Sequence, residues 1–453
     1  MEENMKITTI ELTNFKSIKH IVVNFAGGHN IKKIAAIYGE NGAGKSTIID
    51  AFKNLCLSIR TLDNLNNFIK FRDKIMSQIE DTPMDTNDFL QKSKLQMLTN
   101  LKDVFKNCHT INEQENTMMK FFFSLNGKVG YYQLSFSDKN ELIEEKLYHV
   151  KNKNRGILFD IKKDKKTVIS SEIIKDHNLR AEIENMLSRF WGQHSLLAII
   201  ASELNNYNND FIKDNVQHNI LAFINGIGKI TLYQNSLSSQ IILSSSQLPG
   251  KNIEGGEIPL ENEKYLTGLE GMLNAVFTAA YSDVIKVFYD VTKSNKSINY
   301  KLIFQKRIAG RPTNIPINLE SGGTRRLIQI VPLLIEAIRG NVVIIDEIDN
   351  GIHDLLMILI LKALANNIHG QLIFTTHNTQ LMNALRSKNV FILNSDNEGE
   401  KEVYSLDEFG IRSSNNMSKM YLEGKFDGVP YPDETAMDVI MGELAQYGKK
   451  KED

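Results

Sequence analysis

Apolar and polar positions alternate along three short stretches near the start of the chain, over 6–12, 19–25 and 34–38. A period of two puts successive side chains on opposite faces and predicts β-strands. The third stretch runs straight into a glycine-rich turn and then into STIIDAFKNLCL, whose apolar spacing is helical. From about 60 to 110 the pattern stays helical and grows rich in Lys, Asn and Asp. Between 118 and 170 the period returns to two (FFFSLNGKVGYYQLSFS), with Asn126-Gly127 as the hairpin signal, since both residues tolerate positive φ. Helical spacing resumes over 171–295, broken by Gly, Ser and Pro at 225–262. Two strands are expected around Ala309-Gly310-Arg311-Pro312, then a long amphipathic helix from about 322 and a β-α-β run over 341–395.

This layout reads as an α/β head with a mixed sheet, split by an inserted α+β and helical region. Residues 1–58 make its N-terminal lobe and 298–453 its C-terminal lobe. The insertion, 59–297, is expected to be helical over 59–115, built of β-hairpins over 116–170 and helical again over 171–297. A length of 453 residues exceeds what one hydrophobic core usually serves, which agrees with two units. No heptad pattern persists through the middle, so coiled-coil arms are not expected.

Composition narrows the picture. The net charge of -1 excludes the broad basic surplus of a sequence-independent DNA binder, and leaves a local patch as the means of any nucleic-acid contact. The longest basic stretch, Lys151 to Lys166, reads first as a solvated hairpin rim. Two cysteines, Cys56 and Cys108, without a CxxC pair, argue for a reducing compartment and against a zinc site. The opening MEENMKITTIELTNF suits a strand rather than a signal peptide, and LLMILILKALA at 355–365 is too short for a membrane span. A cytoplasmic protein without membrane contact is the expectation.

Four constellations carry chemistry. Gly39-Glu40-Asn41-Gly42-Ala43-Gly44-Lys45-Ser46 fits GxxxxGK[ST] between a strand and a helix, the context a phosphate-binding loop requires. Its backbone N–H groups from Asn41 to Thr47 would cradle phosphates, Lys45 would reach the β- and γ-phosphates, and Ser46 would ligate Mg²⁺. Val342-Val343-Ile344-Ile345-Asp346-Glu347 is a strand buried on both faces that ends in two carboxylates, where ligands bind in open α/β sheets. Asp346 is the candidate Mg²⁺ ligand and Glu347 the candidate general base. Ser321-Gly322-Gly323 opens a helix and offers a second anion cradle. Gln371-Leu372-Ile373-Phe374-Thr375-Thr376-His377-Asn378 is another buried strand, ending on a histidine at the sheet edge where a γ-phosphate would lie.

In that order these motifs resemble those of ABC-type ATPases. The opening Ile10-Glu11-Leu12-Thr13-Asn14-Phe15-Lys16-Ser17 resembles the SMC/RecF/OLD branch rather than a transporter subunit. ESGGTRRL, IIDEIDNGIH, QLIFTTHN and the tail VYSLDEFG...KMYLEGKFDGVPY are similar to the stand-alone AAA-type ATPases of bacterial abortive-infection and phage-defence systems. The likeness covers roughly 5–55 and 298–432. It implies ATP with Mg²⁺ as cofactors and a homodimer across ATP, with a higher oligomer left open. Each nucleotide would sit on one subunit's Lys45 and Ser46 and face the other's Ser321, Gly322 and Gly323. Asp349 and Asn350 would lie at the seam, His377 would sense the γ-phosphate, and Lys16 and Ser17 could line the nucleotide. Gln133 is the candidate for the glutamine that couples Mg²⁺ to the inserted domain. The helix after the acidic strand departs from relatives, opening on Gly351-Ile352-His353-Asp354 where they often carry Leu-His-Pro.

The implied function is an ATP-hydrolysing sensor or scaffold that controls a separate effector, a Toprim-type nuclease as in assemblies of the PARIS kind, with a phage protein as trigger. About 75 residues follow His377 without an acidic cluster suited to two-metal chemistry, so the nuclease is expected on another chain. The alternative is a RecF- or SMC-like repair or chromosome-maintenance ATPase that binds DNA directly.

Overall fold

In the computed structural model the described residues are 4–27, 30–78, 97–151, 154–236, 239–243, 253–396, 398–411, 415–426, 428 and 434–449. Parts of the basic stretch at 152–153, of the early helical region at 79–96 and of the C-terminal tail at 429–433 lie outside them. The chain opens with β1 (Met5–Phe15), β2 (Ile18–Asn24) and β3 (Ile34–Gly39), then α1 (Lys45–Ser58) and α2 (Thr61–Gln78). A meander follows: β4 (Thr117–Leu125), β5 (Lys128–Phe136), β6 (Leu142–Val150), β7 (Arg155–Lys162) and β8 (Val168–Ile169). Asn126 and Gly127 have φ of 52° and 76°, giving the two-residue turn their pairing predicts. β1 pairs with β4, so the meander and β1-β2 form one seven-stranded antiparallel sheet in the order β8-β7-β6-β5-β4-β1-β2. The hairpin region is therefore continuous with the N-terminal strands rather than a separate insertion.

Four helices come next, α3 (His177–Phe190), α4 (Leu196–Leu204), α5 (Asn209–Asn215) and α6 (His218–Gly228). The helical expectation for 171–297 then fails. The chain makes β9 (Thr231–Ser236), β10 (Ser239–Leu243) and β11 (Gly255–Pro259), one long helix α7 (Glu263–Ala280), and β12 (Val284–Lys293). Tertiary context decides these segments. Thr231 to Gln234 are all buried beside the acidic strand, and in β12 Val284, Val287 and Tyr289 face inward while Ile285 stays exposed. β13 (Ser297–Ile308) and β14 (Arg311–Pro316) close a small third sheet with β11 and β12. Their turn, Ala309 at φ 48° and Gly310 at φ 77°, sits where the sequence placed it.

The C-terminal part supplies α8 (Gly322–Ile338), β15 (Val342–Ile345), α9 (Asp354–Asn367), β16 (Gln371–Thr375), β17 (Val390–Ser395), β18 (Lys401–Ser405), α10 (Met417–Leu422) and α11 (Glu434–Lys449). The second seven-stranded sheet runs β10-β9-β15-β16-β3-β17-β18. Its five central strands are parallel and its two edge pairings antiparallel, so the sheet is mixed. Alternation divides its two faces: Val342, Ile344, Ala35 and Ile37 pack toward α1 and the antiparallel sheet, whereas Val343, Ile345, Ala36 and Tyr38 pack toward α8, α9 and the third sheet. Burial on both faces is why these strands read as continuous apolar runs. Gln371, fully buried at the start of β16, accepts from Ile7 N and donates to Ile7 O, both at 2.9 Å, and so stitches β1 to the mixed sheet.

Candidate nucleotide site

β3 delivers the chain to a loop in which Gly42 (φ 84°) and Gly44 (φ 111°) occupy the left-handed region that glycine enters without strain. A Cβ at Gly39 would lie 2.4 Å from the Leu393 carbonyl oxygen, so that close approach also excludes a side chain. Gly44 caps α1 without a side-chain hydrogen bond, which leaves the helix's positive end to an outside acceptor. Asn41 and Gly42 are exposed, Ala43 is buried, and Thr47 N donates to Gly44 O at 3.0 Å. Lys45 folds back over the loop, its Nζ donating to the carbonyls of Gly39 and Glu40 at 2.8 Å each. Burial pushes the Lys45 ammonium down to about 8, against the attraction of Asp346, Glu347 and Glu40.

The acidic strand meets this loop directly. Ser46 Oγ donates to Asp346 Oδ2 at 3.2 Å, and Thr375 Oγ1 donates to Asp346 Oδ1 at 2.5 Å. Burial lifts the Asp346 carboxyl above its ordinary value, while the hydrogen bonds from Thr375 and Ser46 oppose the rise. Glu347 has φ 49° and is half-buried; its N–H donates to Thr375 Oγ1 at 2.8 Å and its Oε2 accepts from Asn350 at 3.2 Å. Thr376 Oγ1 donates to Asp349 Oδ1 at 2.6 Å, which ties the strand end before His377 to the loop after Glu347. His377 itself is exposed. Its pKa is lowered by packing of the surrounding protein and then by the positive charge of Lys45, so the two residues lie within electrostatic reach. Lys45, Ser46, Asp346, Glu347 and His377 thus converge at the C-terminal edge of the parallel strands, the crevice used for ligands in such sheets. A hydroxyl beside a carboxylate, under a glycine cradle with one lysine, is a donor set that fits a magnesium-bound triphosphate.

The remaining predicted residues flank this centre. Lys16 Nζ pairs with Asp50 one turn along α1, and Ser17 is exposed in the β1–β2 turn, whose Ile18 reaches Gly44. Burial alone would raise the Asp50 carboxyl, but Lys53 and Lys16 hold it below its ordinary value. Ser321 caps α8, accepting from Thr324 N at 3.1 Å and pairing with the Thr324 hydroxyl at 2.9 Å. Gly322 is open to solvent, whereas a Cβ on Gly323 would stand 2.4 Å from the Gly351 carbonyl oxygen.

One expectation changes. Gln133 does not reach the site: it lies on β5 of the other sheet and donates to Glu144 at 3.1 Å. The glutamine nearest the acidic strand is instead Gln234 on β9, which donates to Asp50 Oδ1 at 3.0 Å and accepts from Lys53 at 3.2 Å. Arg326, which none of the four motifs singles out, also joins the site. Its buried guanidinium lies 4.1 Å from the Tyr233 ring centre and donates to the Glu347 carbonyl at 2.9 Å, bracing the peptide of the acidic pair from α8. Both depend on β9 entering the sheet, which local pattern did not reveal.

These features define a P-loop ATPase head. The chain belongs to the AAA ATPase domain family, which matches residues 5–382, and it hydrolyses ATP as members of that family do. Among solved structures it is similar to the Smc head bound to the C-winged helix domain of ScpA, at 14% identity over 89% of this chain and 99% of that one, with a TM-score of 0.46. The SMC head domain from Thermotoga maritima (14%, 88% and 98%, TM-score 0.37) is also similar. So is the Smc head domain with an extended coiled coil derived from Pyrococcus furiosus (14%, 90% and 98%, TM-score 0.42). None of the curated proteins matches. No helix among the described residues is long and apolar enough to cross a membrane.

Proposed function

We propose that the chain is a nucleotide-gated switch in which two copies close head to head over two Mg-ATP, and that this closure controls a separate effector. The supporting observation is a division of labour within one chain. Lys45, Ser46, Asp346 and Glu347 gather around the phosphate loop, while the Ser321 side chain is satisfied within its own helix cap. A half-site of each kind on every copy makes ATP a ligand selective for the closed pair. In this reading Lys45 holds the β- and γ-phosphates, the N–H groups of Asn41 to Thr47 cradle them, and Ser46 with Asp346 hold Mg²⁺. Bound Mg²⁺ would supply charge neutralisation at the phosphates. Glu347 takes a proton from the attacking water, and His377 contacts the γ-phosphate. Ser321, Gly322 and Gly323 of the second copy close the other side, and Lys16 and Ser17 border the nucleotide.

Likeness of ESGGTRRL, IIDEIDNGIH and QLIFTTHN to phage-defence ATPases supports a cytoplasmic abortive-infection role, with a Toprim-type nuclease as effector and a phage protein as trigger. The decisive variant is Glu347→Gln. It should bind ATP, lose at least about 100-fold in turnover, and sediment as a dimer with ATP but not with ADP. Normal hydrolysis would remove Glu347 from its role, and a monomer under saturating ATP would remove the dimer. For the effector, mass spectrometry of the co-purified complex should find a nuclease; salt-sensitive, ATP-stimulated binding of duplex DNA by the chain alone would favour a repair ATPase instead.

A further inference from the structure

The N-terminal edge of the parallel strands, opposite the phosphate loop, holds a groove of about 580 Å³ that the nucleotide chemistry does not use. Its walls are the segment entering β3, the end of α9 and the 384–389 segment leading into β17. Five of its lining residues are cationic (Lys32, Lys33, Lys362, Arg386 and Lys388) and none is acidic, in a chain whose net charge is -1. Lys32 is engaged internally, donating to Ser405 at 3.0 Å and lying 4.4 Å above the Phe391 ring centre, with Asp407 at 3.9 Å. The other four face solvent. Lys33 donates to the Ile368 carbonyl at 2.8 Å, and among the described residues no carboxylate pairs with Lys362, Arg386 or Lys388. Half-buried Ile31 and Ala384 and exposed Ala365 give the groove an accessible apolar floor between these cations.

Each wall is a direct continuation of a segment that touches the nucleotide site. β3 runs from the groove to the phosphate loop. α9 begins just after Asp349 and Asn350, and its Asp354 accepts from Asn378, next to His377, at 2.7 Å. The 384–389 segment follows His377 after a single short 3₁₀ helix, Thr379–Ala384. A rearrangement of these segments around a γ-phosphate would therefore have a direct route through the chain to the walls of the groove.

We propose that this groove docks an acidic, partly apolar segment of a partner protein, and that the nucleotide state sets its grip; the second half rests on the switch reading above. Carboxylates would meet the four solvent-facing cations while apolar side chains cover the floor. A groove of this volume takes a few side chains. A duplex would lay its phosphates across the rim and leave the floor uncovered, so a protein segment is the better complement.

The test uses a fluorescein-labelled twelve-residue peptide alternating Glu and Leu, a Lys/Leu control and a duplex DNA probe, on the full chain. The Glu/Leu peptide should bind the wild type, weaken at higher salt, and bind at least about tenfold more weakly to the triple variant K362E/R386E/K388E. That variant changes only exposed side chains, so its melting temperature and basal ATPase rate should stay at wild-type values. Affinity should also differ at least about threefold between ATP-loaded E347Q and nucleotide-free protein. Equal binding of the Glu/Leu peptide to the triple variant would overturn the groove, as would duplex DNA that binds tighter and is lost with the same substitutions. If E347Q closes with ATP but the peptide is indifferent, the coupling fails and the switch stands. If E347Q never closes while the triple variant still loses the peptide, the switch fails and the groove stands.

Discussion

At the scale of single residues, Lys45 is the most exposed to test by pH. Burial holds its ammonium near 8 against the attraction of Asp346, Glu347 and Glu40, while the Gly39 and Glu40 carbonyls accept its hydrogen bonds. Bound phosphate would favour the charged form, so binding above pH 8 must take up a proton. ATP affinity should be nearly flat from pH 6 to 7.5 and then fall, approaching about tenfold per pH unit above 8. Titration of a fluorescent ATP analogue from pH 6 to 9.5 reads this directly, and Lys45→Ala should give weak, pH-independent binding. A flat wild-type profile would mean that the buried ammonium keeps its ordinary pKa. The phosphate-loop, acidic-strand and strand-end residues could be read from sequence because each sits within a contiguous run whose backbone context is local. Gln234 and Arg326 could not: their importance comes from neighbours at Asp50 and Glu347, which only the folded sheet brings near.

At the scale of elements, β3, the Asn126-Gly127 hairpin, α8 and the acidic strand follow from periodicity and turn chemistry, whereas β9 and β12 do not. Short amphipathic stretches bounded by helices read as helix until the partner strand is known. The packing of α4 gives a prediction at this level. Fully buried Glu145 on β6 accepts from Leu196 N (2.7 Å), Trp191 Nε1 (3.0 Å), Leu197 N (3.4 Å) and Tyr132 Oη (2.9 Å), fastening the start of α4 to the antiparallel sheet. Burial raises its carboxyl to about 7 despite these donors. The folded state therefore holds this proton more tightly than the unfolded chain. Its stabilising effect is complete below the ordinary value of 4.5 and is lost as pH rises through about 7. Glu145→Ala strands the four donors and should cost roughly 3 kcal/mol. Glu145→Gln keeps the shape but turns a donor toward two donors, costing about 1–3 kcal/mol, and removes this part of the pH slope. Melting temperatures of the three proteins at pH 5, 6.5 and 8 check both effects; parallel curves for wild type and Glu145→Gln would show that the group does not titrate in this range.

At the scale of the whole molecule, the sequence motifs name two anion cradles but leave open whether one chain or two complete a site. In a head-to-head pair with two-fold symmetry, each site draws Lys45 from one copy and Ser321 from the other. Lys45→Ala and Ser321→Arg should each abolish hydrolysis alone, the first by removing the phosphate contact and the second by filling the opposite cradle. Mixed in equal amounts, half of the pairs are heterodimers, and each of these combines an intact Lys45 with an intact Ser321 at one of its two sites. The mixture should therefore recover about a quarter of the wild-type rate if the sites act independently, and less if they must fire together. Recovery should rise with total protein concentration, since it depends on association. A chain that hydrolyses ATP within a single copy would show no recovery at any ratio. Rates measured across mixing ratios thus separate the paired site from the solitary one without knowledge of the effector.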